Sequence, residues 1–230
     1  MQLSADVVIV GAGPVGLALA NLLGARNIDT LVVEREPSLE SPTRAIGVTP
    51  PSLRVLEKLG LAGEIVHSGV QIRRAQVMGN RRKLGEVTFD TLPEPYRFIL
   101  SIPQPTLESL LEANIYAYHS VRLVRGAALT AVDTKSRTAT VRKTGNSKDG
   151  PYTLQFRYLC ACDGARSTVR SLMSMPFPGR RYRDTFLMGD YFDDSGLGSD
   201  AFLFFTRQGS VESFPLPNGK RRWIVQTERD

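Results

Sequence analysis

The sequence predicts an α/β fold in which a parallel sheet with a β-meander is followed by an incomplete antiparallel β-sheet. Three observations lead to this expectation. A glycine-rich turn, residues 11–16, stands between an apolar run and a leucine-rich segment. A second apolar run ends at Glu34. Short segments of alternating polarity recur after residue 70 and again from residue 182 to residue 230, as is typical of strands with one buried face.

The first 34 residues predict one strand–helix–strand unit. Residues 6–10 form an apolar run, as expected of a parallel strand that is buried on both faces. Leucines and alanines fill a helical segment that extends from the glycine turn to about residue 26, and residues 30–34 form the second strand. The crossover between the two strands is expected to be right-handed.

Two more helices are predicted further along the chain. Residues 36–51 are rich in Pro, Ser and Thr and are expected to form a long loop. A helix is expected over 52–60, because leucines recur there at helical spacing and Gly60 provides a stop. Residues 106–116 also carry their leucines and Ile115 on one helical face.

The remaining segments predict strands. Two of them lie between the helices and belong to a different layer, three form a meander, one is buried before Asp163, and four lie near the end of the chain. These predicted strands are residues 71–78, 84–89, 129–132, 138–141, 152–156, 158–162, 185–192, 201–206, 210–215 and 222–226.

Composition excludes several classes of protein. Hydrophobic residues make up 42% of the chain and charged residues 23%, as in an ordinary globular protein. The net charge is +6, but the basic clusters, including residues 220–222, are interpreted as solvated faces and turns, so no nucleic-acid partner is expected.

Cys160 and Cys162 lack the further ligands that a metal site needs. No apolar run reaches membrane-spanning length and residues 1–5 resemble no leader, so no membrane partner and a cytoplasmic location are expected.

The glycine turn is the first segment that indicates chemistry. Gly11 permits a tight turn, Gly13 lets the backbone approach a pyrophosphate, and Gly16 allows close packing of helix and strand. The N-terminus of the following helix offers free N–H groups to phosphate oxygens. Glu34 is placed to accept hydrogen bonds from ribose hydroxyls. The fingerprint predicts NAD or FAD, and the alternative is a tight turn with glycines for packing alone.

Three later segments extend the pattern. They are Arg-Ala-Ile-Gly-Val-Thr at residues 44–49, Ser-Ile-Pro-Gln-Pro-Thr-Leu-Glu at 101–108, and Cys-Asp-Gly-Ala-Arg-Ser-Thr-Val-Arg at 162–170. With the glycine turn, this ordered set resembles the FAD-dependent aromatic-ring hydroxylases, the family of para-hydroxybenzoate hydroxylase, over nearly the whole chain. The resemblance implies a Rossmann-like FAD-binding domain and a substrate-covering sheet. It also implies FAD and NAD(P)H as cofactors, and a flavoprotein monooxygenase that hydroxylates a phenolic or polyketide-like substrate with O2.

The resemblance also implies roles for single residues. Glu34 holds the adenosine ribose, Arg44 lies near the flavin or its phosphates, Gln104 reaches the ribityl chain, and Asp163 binds within the flavin site. The alternatives are a loop charge for Arg44, a helix-entry residue for Gln104 and a helix N-cap for Asp163. No side chain is identified as an acid–base catalyst. The residues assigned to the cofactor are Gly11, Gly13, Pro14, Val15, Gly16, Glu34, Arg35, Arg44, Gln104, Asp163 and Gly164.

The sequence departs from the family in one respect. Family members carry a later Gly-Asp segment followed by His and a Pro-Pro-Gly-Gly-rich stretch, whereas Gly189-Asp190 here is followed by Tyr-Phe-Asp-Asp. We therefore expect the last FAD-binding segment to be missing, so that a C-terminal half or a homodimer completes the site. The alternative is a non-catalytic or weakly flavin-binding remnant or subunit that needs a partner chain. Another flavoenzyme on the same scaffold, or a plain NAD dehydrogenase, is less favoured.

The same considerations divide the chain into four segments. Residues 1–70 are expected to form the first part of the FAD-binding domain and residues 101–181 its second part. Residues 71–100 are expected to supply strands of the substrate layer, and residues 182–230 the start of a truncated substrate-binding sheet.

Overall fold

The computed structural model of the chain describes residues 2–39, 45–79, 82–145, 150–180 and 182–227. Helices and strands alternate in the first half of the chain, and strands dominate the second half. The helices are α1 (Pro14–Gly24), α2 (Pro50–Glu57), α3 (Ala62–His67), α4 (Gln104–Ile115) and α5 (Thr168–Leu172). The strands are β1 (Gln2–Val10), β2 (Thr30–Val33), β3 (Gly47–Val48), β4 (Val70–Ile72), β5 (Arg74–Gly79), β6 (Arg82–Thr88), β7 (Ile99–Ser101), β8 (Val121–Val124), β9 (Ala127–Asp133), β10 (Thr138–Lys143), β11 (Tyr152–Ala161), β12 (Thr185–Phe192), β13 (Ala201–Thr206), β14 (Gly209–Leu216) and β15 (Lys220–Thr227).

The chain divides into two compact units. The first contains residues 1–42 and 107–178, and the second contains residues 43–106 and 179–230. Residues 43–70 and 101–106 therefore lie in the second unit, although the four-segment division places them with the cofactor-binding parts. That functional division stays a prediction.

The first unit is built on a six-stranded sheet in the order β8-β2-β1-β11-β10-β9. β8, β2, β1 and β11 are parallel to one another, while β10 is antiparallel to both β11 and β9. This is the predicted parallel sheet with its meander. The apolar runs in the sequence become its buried strands: Val8, Leu31 and Leu154 expose 1% of their surface or less and belong to one hydrophobic cluster.

The four parallel strands end in register. Val10 lies opposite Val33 on one side and Ala161 on the other, and Val33 lies opposite Val124. Because ligands of open α/β sheets bind outside the carboxyl ends of the strands, the residues that follow this row mark the edge where chemistry is expected.

A buried asparagine joins α1 to α4. Asn21 is fully buried, and its side-chain N–H groups donate to the carbonyl oxygens of Leu17 (2.8 Å) and Leu111 (2.9 Å). Its own oxygen accepts from Nδ2 of Asn114 at 2.7 Å. A buried polar group that is fully hydrogen-bonded specifies one packing arrangement. Asn21 therefore fixes how α4 packs against the C-terminal half of α1.

Several elements differ from the sequence-based expectations. β3 and the start of α2 fall within residues 36–51, where a loop was expected, and α2 ends at Glu57 rather than at Gly60. The two strands expected at 152–156 and 158–162 are one strand, β11, because it pairs along its length with β1 and also with β10. α3, β7 and β8 were not predicted, since each is too short to show a clear period.

The second unit contains two sheets. The larger has the order β12-β15-β14-β13-β5-β6, and the smaller has the order β3-β7-β4. All pairs in these sheets are antiparallel except β13 with β5, which come from distant stretches of the chain and are parallel. The expected antiparallel layer is thus present, with one parallel pair. Residues 189–190 lie in β12, as expected of a strand rather than a cofactor loop.

Two adjacent arginines on β15 are buried, so the interpretation of residues 220–222 as solvated is wrong for both. Arg221 is fully buried and donates from Nε to Asp193 (2.8 Å) and from Nη1 to Ser213 Oγ (3.2 Å). Arg222, 2% exposed, binds both carboxylate oxygens of Asp190 at 2.6 and 2.8 Å. Paired carboxylates compensate the cost of removing each guanidinium from water, which the sequence alone does not reveal.

Candidate dinucleotide-binding site

The glycine turn is fixed between three strand ends. The Gly11 N–H donates to the carbonyl oxygen of Val33 at 2.8 Å, and the Cys162 N–H donates to the carbonyl oxygen of Val10 at 2.8 Å. Gly13 is the N-cap of α1, in an extended conformation, and Pro14 occupies the first turn. Proline suits this position because its fixed φ matches the helix and it lacks an N–H that would have no helical partner. The first turn of α1 thus presents its free N–H groups at the carboxyl edge of the sheet.

Glycine occurs at these three positions for different structural reasons. A Cβ on Gly11 would lie 2.5 Å from the Cys162 carbonyl oxygen, and its φ of +102° also favours glycine. A Cβ on Gly16 would lie 1.9 Å from the Gly11 carbonyl oxygen. At Gly13, in contrast, the nearest atom is Glu108 Oε1 at 3.9 Å. Gly11 and Gly16 are therefore required by the packing of the protein itself, whereas Gly13 leaves open space beside the helix N-terminus.

Glu34 follows β2 and binds the same turn. Its Oε2 accepts from the Ala12 N–H at 2.7 Å, and its Oε1 accepts from the Glu36 N–H at 2.9 Å. The side chain is half-buried. A carboxylate offers about four acceptor positions, so both oxygens retain capacity for the hydroxyls of a ribose. The sequence-based placement of Glu34 beside the glycine turn is observed.

Asp163 and Gly164 follow the end of β11, next to Gly11. The Asp163 carboxylate accepts from Ser167 Oγ at 2.6 Å and from the Val169 N–H at 3.0 Å. Ser167 is the N-cap of α5 and its Oγ accepts from the Arg170 N–H. Asp163 therefore supports the start of α5 together with the N-cap, and Gly164 makes the turn between them with a φ of +77°.

We expect the Asp163→Ala variant to unfold more easily than the native chain. It loses two partly buried hydrogen bonds at the start of α5, which predicts a decrease of about 1–2 kcal/mol in the free energy of unfolding. Ser167→Ala removes a bond from the same network, so the double variant should lose less than the sum of the single changes. Urea denaturation measures all three. Unchanged stability in Asp163→Ala would contradict this role.

The other residues that the sequence analysis assigned to the cofactor differ in their exposure and in their place in the fold. Val15 is 70% exposed in the first turn of α1. Arg35 is also exposed and forms an ion pair with Glu36, with Nε and Oε1 3.2 Å apart. Gln104 begins α4 and belongs to the second compact unit. Arg44 lies outside the described residues.

Two charged residues at this edge were missed by sequence reasoning. Arg125 directly follows β8 and forms a bidentate ion pair with Glu112 of α4. Burial lowers the pKa of Arg125, but the hydrogen bonds and charge of Glu112 and the charge of Glu34 outweigh this effect and raise it overall. Arg125 could have been found by recognising residues 121–124 as a fourth parallel strand, because it then occupies the position that Glu34 has after β2.

The cysteines do not form a reactive centre. Cys160 and Cys162 are both half-buried and unpaired by disulfide. Burial raises the pKa of each thiol, and the charges of Cys160 and Asp163 add to the effect at Cys162. Both thiols are therefore protonated near neutral pH and are poor nucleophiles.

Other features of the described residues lie outside this edge. A cavity of about 370 Å³ lies among residues at the opposite end of β1, including Ser4, Asp29 and Arg137. The described part of the chain contains no cluster of three or more side chains suited to a metal ion. None of its helices has the length and apolar character to cross a bilayer.

The geometry of the carboxyl edge fits the adenosine and diphosphate parts of a dinucleotide such as FAD. The open space beside Gly13 and the free N–H groups of α1 suit a pyrophosphate. Glu34 lies on the neighbouring strand end, at the position where an adenosine ribose is bound in dinucleotide folds. A bound FAD would be held by these residues through its diphosphate and adenosine.

Comparison with known proteins agrees with this fit. Residues 4–230 match the family model described as FAD binding domain. A 3-(3-hydroxy-phenyl)propionate/3-hydroxycinnamic acid hydroxylase of Mycolicibacterium smegmatis is 34% identical over 98% of this chain and 40% of its own length. A 12-dehydrotetracycline 5-monooxygenase/anhydrotetracycline 6-monooxygenase of Streptomyces rimosus is 35% identical over 76% of this chain and 34% of its own.

A solved structure shows the same fold. The p-nitrophenol 4-monooxygenase of Pseudomonas putida superimposes with a TM-score of 0.90 at 22% identity, covering 100% of this chain and 59% of its own. The chain thus spans about 40% of the M. smegmatis relative and about three fifths of this structure. The chain belongs to the FAD-binding domain family of flavoprotein hydroxylases and monooxygenases.

Proposed function

We propose that the chain provides the FAD-binding part of an NAD(P)H-dependent monooxygenase that hydroxylates a phenolic or polyketide-like aromatic ring. The observation that carries this proposal is the carboxyl edge of the first unit, where the glycine turn, Glu34 and Asp163 follow neighbouring strand ends. The hydroxylase from M. smegmatis, 34% identical over nearly the whole chain, supports the class of reaction.

A hydroxylation of this class consumes O2 and NAD(P)H. One oxygen atom of O2 replaces a ring hydrogen as a hydroxyl group, and the other leaves as water. NAD(P)H supplies a hydride, solvent supplies a proton, and NAD(P)+ is released. Bound FAD would supply the redox chemistry that links these steps, and the protein supplies binding and orientation.

The proposed roles of the residues follow from their positions. The backbone N–H groups of Gly13 and Val15, on either side of Pro14, mark the turn that would bind the pyrophosphate, with Gly11 and Gly16 fixing its path. Glu34 would accept from the adenosine ribose. Asp163 and Gly164, beyond the next strand end, would bind nearer the flavin, while Arg35, Arg44 and Gln104 are proposed on the family resemblance alone.

The proposal also includes a further segment. The relatives extend well beyond the region that this chain matches. We therefore infer that the FAD site and the substrate pocket are completed by a C-terminal segment or by a partner chain, and that the sheet of the second unit covers the aromatic substrate.

The test uses the purified chain saturated with FAD, alone and together with the C-terminal segment or partner chain that is proposed to complete the site. Oxidation of NADH and of NADPH is followed by absorbance with and without a panel of phenols, including 3-(3-hydroxyphenyl)propionate, under isotopically labelled O2. We expect at least one phenol to accelerate oxidation and to gain one labelled oxygen atom. Gly13→Asp, which is expected not to hold FAD, is the control.

The opposite result has a specific meaning. If FAD is bound but no aromatic compound changes the rate of NAD(P)H oxidation, even with the completing segment or partner chain present, the monooxygenase proposal is wrong for this chain. The second candidate function, a flavin-binding subunit without turnover of its own, would then be supported.

A further inference from the structure

A cation occupies the strand end next to Glu34. The register places Val124 of β8 opposite Val33 of β2, so Arg125 follows β8 as Glu34 follows β2. Two backbone hydrogen bonds fix the two ends together: the Glu34 N–H donates to the Val124 carbonyl at 2.9 Å, and the Ala127 N–H donates to the Glu34 carbonyl at 2.8 Å. Arg125 lies within this joined segment and therefore beside Glu34.

Helix α4 holds the guanidinium in place. Arg125 binds Glu112 through Nε (3.3 Å to Oε1) and through Nη2, and the two side chains are only 17% and 12% exposed. The Tyr116 hydroxyl donates to the same Oε1 at 3.2 Å. The Asn21 hydrogen bonds to Leu111 and Asn114 fix this part of α4. A bidentate, partly buried arginine is oriented far better than an exposed one.

The position has an electrostatic consequence for Glu34. A ribose-binding carboxylate lies close to a diphosphate, whose negative charges repel it. The charge of Glu34 is one of the causes that raise the pKa of Arg125, so the two opposite charges attract each other across the adjacent strand ends. Glu112 accepts hydrogen bonds from two of the five guanidinium N–H donors. Because the negative charge of Glu112 is paired with Arg125, the ion pair acts as a fixed dipole and not as an unpaired negative charge.

We propose that Arg125, oriented by Glu112, is the electrostatic partner of Glu34 at the neighbouring strand end and thereby raises the affinity of the chain for the adenosine half of FAD. This inference rests on the proposed binding of FAD at the carboxyl edge. Arg125 acts through Glu34, not on the flavin.

The experiment is a double-mutant cycle on FAD binding. Dissociation constants of FAD and ADP are measured by equilibrium dialysis for the native chain, Arg125→Gln, Glu34→Gln and the double variant. Arg122→Gln is the matched control, because Arg122 lies on β8, three residues before Arg125, in an exposed ion pair with Asp29. Arg125→Lys retains the positive charge but cannot form the bidentate ion pair with Glu112. Melting temperatures are recorded for every variant.

We expect Arg125→Gln to weaken FAD and ADP binding about tenfold in the native background and less than about twofold in the Glu34→Gln background. Arg125→Lys should lose less, Glu112→Gln should reproduce part of the loss, and Arg122→Gln should bind as the native chain does. Equal losses in both backgrounds, or losses that only follow the melting temperature, would overturn the inference. Failure of the native chain to bind FAD would instead refute the function on which it rests.

Discussion

Gly13→Asp is expected to weaken FAD binding at least about a hundredfold while the chain keeps its fold. The native Gly13 has an ordinary negative φ of −75°, and an added Cβ meets only Glu108 Oε1, at 3.9 Å. An aspartate therefore fits the backbone and is a favourable N-cap residue. Its carboxylate would occupy the open space that suits a pyrophosphate and would repel the phosphate charges.

The measurement pairs FAD titration with urea unfolding. Gly63→Asp is the matched control, since Gly63 is an exposed helical glycine with no atom within 4 Å of an added Cβ. Both variants add one negative charge. Gly63→Asp should change the free energy of unfolding by less than about 1 kcal/mol, whereas Gly13→Asp places its carboxylate near the buried Glu108 carboxylate and should lower it by about 1–2 kcal/mol. If the Gly13→Asp variant binds FAD as tightly as the Gly63→Asp variant does, the pyrophosphate is not bound at this turn.

Gly16→Ala is expected to have the opposite profile, with a large loss of stability. The new Cβ would lie 1.9 Å from the Gly11 carbonyl oxygen and 3.3 Å from Cys162 Cβ. Backbone cannot move away as a flexible side chain can, so α1 must separate from the strands. We expect a decrease of about 3 kcal/mol or more in the free energy of unfolding, or no folded protein.

Gly63→Ala is the control for this change, because alanine in an open helical position costs nothing and tends to stabilise the helix. Urea denaturation compares the two. A Gly16→Ala variant within about 1 kcal/mol of the native chain would mean that α1 packs less closely on β1 than the structure describes.

The cofactor turn could be predicted from sequence because its signals are local. Gly11, Gly13 and Gly16 have fixed spacing, and a buried strand and a helix on either side give that spacing its meaning. Glu34 and Asp163 each follow an apolar run, so their placement at the same sheet edge follows once the strands are parallel. The family comparison confirms the resemblance and the fold class.

The missed residues depend on contacts between distant segments. β8 has four residues, Val121–Val124, and such a run shows no period that separates strand from loop. Without β8, nothing places Arg125 beside Glu34. Arg221 looks like part of a solvated basic cluster until Asp193 and Ser213 are seen to surround it. Pairing partners of buried charges are set by tertiary structure, which a single sequence does not state.

FAD titration of the purified chain tests the central claim most directly. Flavin fluorescence and absorbance are followed as FAD is added, and ADP is then used to displace it. The account predicts saturable one-to-one binding that ADP reverses, since Glu34 and the glycine turn are placed to bind the adenosine and pyrophosphate side of the cofactor. No change in flavin signal up to about 50 µM FAD would contradict it.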